Sequence, residues 1–284
     1  MTMNGLGMGA WALGFAAAFV IGVAPTAQAP DDAAGLRAAL DAYLVAYQPQ
    51  LSGLAADEQM VQRDQSMAAF NTGRARVRTI TAQVAFAPLP GGAGWLGFRR
   101  VLSVNRAAIK DPGPSLADLA DDPNPDDVDQ AFLLAAESTR HNMGAIRINL
   151  PLVPLEMLHA RNRARFTARV DGPEREGGAA TVRLVFEETG RPTLVQREGG
   201  GDMPSRITAW VEPGSGRLHR ARVVSHDERP GRAGPDAVLD VRFKANTALG
   251  LLVPAEMNEE FGTSPGRKGV GKATYTNYRK IAEP

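Results

Sequence analysis

The 284-residue chain contains no cysteine. That absence excludes disulfides, thiolate metal sites, thiol catalysis and a lipid-modified cysteine at a processing site. A block of charge of one sign is also missing. The 32 Lys and Arg and 31 Asp and Glu are interspersed and leave a net charge of +1. Binding to a phosphate backbone needs a basic stripe, so nucleic acid is not expected as a partner. Beyond the N-terminus no apolar run approaches membrane-spanning length, and residues 1–30 carry no Asp, Glu, Lys or Arg.

What the N-terminus does have is the apolar stretch GAWALGFAAAFVIGVA, Gly9 to Ala24, too short for a bilayer core of ~30 Å. Ala27-Gln28-Ala29 supplies the small-x-small pattern of a signal-peptidase site. The expectation is a signal peptide over 1–29 and one exported domain over 30–284, periplasmic or extracellular. The n-region lacks Lys and Arg, and Pro30 is an unfavourable residue after a cleavage site. Both leave an uncleaved anchor as the alternative, in which case the membrane is touched through this segment alone.

Helical spacing of Leu36, Leu40, Tyr43, Leu44, Tyr47 and Leu51 predicts a helix over 32–48, stopped near Tyr47 by Pro49. Strand alternation follows in Ile80, Ala82, Val84 and Phe86. It continues on a face carrying Leu96, Phe98, Leu102 and Val104, with Arg100 as the odd member. Asn124 and Pro125 open a predicted inserted helix over 125–142, and Pro151 and Pro154 bracket a short helical turn through Leu155 and Leu158. From Arg165 the chain reads as strands joined by short turns. Pro213-Gly214-Ser215-Gly216 marks one hairpin, and KATYTNYRKI forms the last strand. Short turns cannot make parallel crossovers. The fold class is therefore α+β: a large curved antiparallel sheet, an incomplete barrel, wrapped around one or two helices.

Motifs that suggest chemistry fail on context. Gly92-Ala93-Gly94-Trp95-Leu96-Gly97 has the dinucleotide-loop spacing, but prolines precede it and a strand pattern follows. Gly266 to Lys272 resembles a phosphate loop, yet Ala273 stands where Ser or Thr must hold Mg²⁺, so it reads as a basic hairpin loop. His141, His159, His219 and His226 are not at metal-ligand spacing. Asp57-Glu58 and Glu259-Glu260 are neighbours that point to opposite faces of a strand. Glu137 to Asn142 ends the inserted helix with a polar cluster, read as a C-terminus that could also line a polar site. No catalytic residue, metal ligand, cofactor or nucleotide is predicted from these patterns.

ITAWVEPGSGRL, LLVPAEM and KATYTNYRKI, with the helix run AFLLAAESTRHNMG, resemble uncharacterised exported bacterial proteins distantly related to the outer-membrane lipoprotein carriers of LolA/LolB-like fold. The resemblance implies a half-barrel partly plugged by helices whose concave face can hold an acyl chain. The extra length between Pro88 and Pro154 departs from a carrier. The leading expectation is a non-catalytic envelope protein binding a hydrophobic or lipid-like ligand or a protein partner. Its ligand-lining residues would be Phe166, Val182, Leu184, Phe186, Leu239, Val241 and Phe243, which could equally form a closed core. The alternatives are a structural or surface-interaction module, and a secreted hydrolase using carboxylates or His226-Asp227.

Overall fold

Leu36, Leu40, Leu44, Tyr47 and Leu51 recur three or four residues apart and are all buried along one side of helix α1, Ala33–Leu51. In the computed structural model, residues 33–64, 76–88, 95–113, 138–143, 149–197, 200–228, 236–264 and 267–281 are described. The expected signal peptide and most of the inserted helix 125–142 lie outside them. Proline does not stop α1 where the sequence suggested. Pro49 sits inside the last turn, where it forfeits one hydrogen bond. Ser52 N still donates to Gln48 O at 3.0 Å, and the chain turns at Gly53, whose φ is +77°.

The strands are β1 (Leu54–Asp64), β2 (Val77–Pro88), β3 (Trp95–Val104), β4 (Ala107–Ala108), β5 (Phe166–Glu176), β6 (Ala179–Glu188), β7 (Ser205–Val211), β8 (Leu218–Ser225), β9 (Ala237–Asn246), β10 (Leu251–Ser264) and β11 (Arg267–Lys280). They form one sheet in the order β4-β3-β2-β1-β11-β10-β9-β8-β7-β6-β5. Every pairing is antiparallel. Two meanders, β1–β4 and β5–β11, are thus joined by pairing their first and last strands. β4 and β5 remain edges, so the barrel is incomplete. Bulges in β3, β5, β8 and β10 sharpen the local twist.

One large core occupies the concave side. It combines the α1 leucines with Ile80, Val84, Phe86, Leu184, Ile207, Val223 and Val241, among others. A short helix α2 (Val153–Leu158) and a 3₁₀ segment (Ala160–Arg165) close over it and lead into β5. Arg37 ties α1 to this connection: Nη1 donates to Phe166 O at 3.0 Å and Nη2 to Arg163 O at 2.6 Å. Asp41 accepts from Arg163. No helix among the described residues is long and apolar enough to cross a membrane.

The expected face of β3 is split. Trp95 and Val101 join the concave core and Val104 packs against it, whereas Phe98 packs with Ala55, Ala85 and Ile281 in a separate small cluster. Arg99, one position from the residue singled out, is the buried arginine. A bulge between Thr81 and Ala82 skips Leu102 and shifts the register by one, which a strict two-residue alternation does not anticipate. Gly269 to Lys272 lie inside β11 rather than in a hairpin loop. The glycines there are needed for space: a Cβ on Gly269 would fall 2.1 Å from the Phe261 ring, and one on Gly271 2.2 Å from Glu259 Oε1.

Candidate functional site

Two features stand out on the concave side, a cleft and a buried polar cluster. The cleft, about 420 Å³, opens between the C-terminal half of α1 and the β9–β10 turn. Helical spacing puts Tyr43 and Tyr47 on the same side of α1, where their rings stack 5.2 Å apart. Tyr47 is buried, and its hydroxyl donates to Leu252 O at 2.6 Å, so the aromatic wall is joined directly to the sheet. Leu251, Leu252 and Asn246 form the other side, and Arg217 from the β7–β8 turn stands at the cleft. Burial raises the Tyr43 phenol, while the nearby Arg217 charge acts in the opposite sense.

The polar cluster lies on β1, β3, β10 and β11 beneath residues 138–143 and Asn149. Arg99 is completely shielded from solvent. Its Nε and Nη2 donate to Glu58 Oε2 and Oε1 at 2.6 and 2.8 Å. Nη2 also reaches Asn149 O at 2.7 Å, and Nη1 reaches Asn149 Oδ1 at 3.1 Å and Ser138 O at 3.3 Å. All five guanidinium hydrogens are therefore used. Burial works against the Arg99 charge, but the Glu58 carboxylate more than offsets it and raises the guanidinium above its ordinary value.

A second carboxylate, Glu259, is buried nearby. Gln62 links it to the covering segment: Nε2 donates to Glu259 Oε1 at 2.9 Å, and Oε1 accepts from Met143 N at 2.7 Å. Glu259 Oε2 has no hydrogen-bond partner among the described residues, nor does Asn149 Nδ2. The Asn149 amide favours the Glu259 charge from close by without reaching hydrogen-bond geometry. Burial dominates, with Gln62 and Arg99 opposing it and Glu58 reinforcing it, and Glu259 is pushed up to about 7. One cation facing two carboxylates accounts for this: Glu58 takes the ion pair and Glu259 is left without one. Burial, then Glu58, likewise raises the Tyr275 phenol.

The seven sequence-predicted lining residues come together. Phe166, Val182, Leu184, Phe186, Leu239, Val241 and Phe243 all face inward from β5, β6 and β9 and are all buried in the main core. The Phe166 and Phe186 rings meet edge to face at 6.5 Å. None of the seven borders the cleft. Nothing in the local sequence marks Tyr43, Tyr47 and Arg217 as one site, although the two tyrosines at i, i+4 are a visible signal.

His226 is exposed, and Asp227 beside it pairs with Arg197 at 3.2 Å. The predicted polar cluster after the inserted helix is described from Ser138 to Asn142. Ser138 Oγ accepts from Arg99 N at 2.9 Å, and the carbonyls of His141 and Asn142 accept from Arg78 Nη1. It therefore meets the buried polar cluster. No group of His, Asp and Glu suited to a metal occurs among the described residues. The long edge strand β5 is marked by a bulge at Gly172, by Pro173 and by Arg169, Asp171 and Arg175, features that resist pairing with another chain.

No protein-family model matches the chain, and no curated protein does. Among solved structures it is similar to a DUF1329 family protein from Desulfovibrio piger, at 10% identity over 88% of this chain and 95% of that one, with a TM-score of 0.42. It is also similar to an outer membrane lipoprotein-sorting protein domain from Vibrio parahaemolyticus, at 12% identity over 87% and 93%, TM-score 0.41. A LolA superfamily protein from Nitrosomonas europaea matches at 10% identity over 86% and 94%, TM-score 0.36.

Proposed function

We propose that this is an exported, non-catalytic protein that binds a hydrophobic or lipid-like ligand in its half-barrel. The observation that carries this reading is the cleft of about 420 Å³ beside α1, walled by Tyr43, Tyr47, Leu251 and Leu252. Ligand pockets of a few hundred Å³ with apolar walls and few polar groups are the usual form of small-molecule sites. In this reading the inward residues of β5, β6 and β9 form the closed core behind α1, and the ligand lies in the cleft against Tyr47, Leu251 and Leu252. The buried carboxylates Glu58 and Glu259 do not border the cleft and serve the scaffold.

The test uses the neutral fluorophore N-phenyl-1-naphthylamine with the purified protein. Saturable fluorescence enhancement is expected, weakened about tenfold by Leu251→Glu, which places a charge in the apolar wall. Absence of enhancement, or enhancement that ignores Leu251→Glu in a folded variant, would contradict the reading.

A further inference from the structure

The cleft has one charged side chain among its lining residues, Arg217. Its backbone is held firmly. In the turn between β7 and β8, Gly216 N donates to Glu212 O at 3.0 Å, and Glu212 N donates to Arg217 O at 2.9 Å. Arg217 N also donates to Ser215 Oγ at 3.2 Å. Gly216, with φ +69°, lies so close to α1 that a Cβ there would fall 2.1 Å from Ala39 O. The turn is thereby pressed against the helix that carries Tyr43 and Tyr47.

The acid nearest in sequence, Glu212, already accepts from Ser215 Oγ at 3.0 Å. Among the described residues no carboxylate lies within ion-pair range of the Arg217 guanidinium, although the sheet pairs many of its other arginines. The Tyr43 hydroxyl has no hydrogen-bond partner among the described residues, in contrast to that of Tyr47. Because burial raises the Tyr43 phenol, it stays a neutral donor at physiological pH. A cation with an open fork of donors and a phenolic donor thus share one apolar cleft. An oxyanion fits both.

We propose that the cleft selects single-chain amphiphiles with an anionic head, a carboxylate or a phosphate monoester, held by Arg217 and Tyr43 while the chain lies against Tyr47, Leu251 and Leu252. This rests on the reading of the cleft as a lipid-like ligand site. Specificity arises because only an anionic head gains a charge-assisted bond to the exposed Arg217 guanidinium, whereas the chain contributes equally in either case.

Displacement of N-phenyl-1-naphthylamine by dodecanoate, dodecyl phosphate and dodecanol tests this. The two anions are expected to displace the probe at about tenfold lower concentration than the alcohol. Arg217→Gln should bring the three affinities together, and Arg217→Lys should keep part of the preference. Tyr43→Phe should lower anion affinity more than alcohol affinity. Equal displacement by all three in the native protein, or an anion preference that survives Arg217→Gln, would overturn the head-group assignment and leave the ligand reading standing. Failure of all three to displace a bound probe would overturn both.

Discussion

Arg99 and Glu58 face each other from β3 and β1 through two hydrogen bonds of 2.6 and 2.8 Å, both side chains fully buried. Replacing the pair by apolar groups can be neutral, but removing one member leaves a buried charge alone. Arg99→Met is therefore expected to cost about 3–5 kcal/mol, and the double variant Glu58→Leu with Arg99→Met clearly less than the sum. Urea denaturation of the four-member cycle measures this; additive costs would show that the two residues are not coupled.

Glu259 gives the fold a pH dependence with a definite sign. Its carboxyl is raised from an ordinary 4.5 to about 7, first of all by burial. Between those values the folded state holds a proton that the unfolded state has released. The contribution is complete below about pH 4.5 and is lost as pH rises through 7, on the order of 3 kcal/mol in total. Glu259→Gln should flatten this part of the stability profile and raise Tm at pH 8 relative to the native chain. A profile with the same slope after substitution would assign it to another group.

Tyr47 joins α1 to β10 through its bond to Leu252 O at 2.6 Å. Tyr47→Phe keeps the ring stack with Tyr43 and removes only that bond. A loss of about 1 kcal/mol is expected, with faster amide hydrogen exchange in the first residues of β10. Unchanged exchange there would show that the bond does not hold the cleft wall.

Gly216→Ala combines a strained positive φ with a collision at Ala39 O. Destabilisation of about 2 kcal/mol or more is expected from the two effects together. Because this turn carries Arg217, probe affinity should fall as well. A stable variant with native affinity would mean that the turn and α1 are free to separate.

The sequence made the regular strands legible where apolar and polar residues alternate cleanly, as in β6 with Val182, Leu184 and Phe186 and in β9 with Leu239, Val241 and Phe243. In β1 only Asp57-Glu58 reads as strand and no apolar alternation marks its length, because the inward positions are filled by Ala56, Glu58, Met60 and Gln62. Two of these are polar and one is too small to register as core. β10 was obscured similarly by Pro254 at a bulge and by the buried Glu259. Arg99 reads as a surface arginine until Glu58 and Asn149, distant in sequence, are brought to it. The polar cluster and the strand pairing that builds it are long-range facts, which local periodicity does not carry. Periodicity places the tyrosines of the cleft on one helix face, but the turn of Arg217 that completes the site comes from another part of the chain.

Native mass spectrometry of the protein purified from its own host reads directly whether the cleft is filled in the cell. An adduct the size of a single-chain amphiphile is expected, extracted by organic solvent as an acyl-bearing compound and depleted in the Leu251→Glu variant. Repeated recovery of the bare polypeptide mass with no extractable lipid would contradict it.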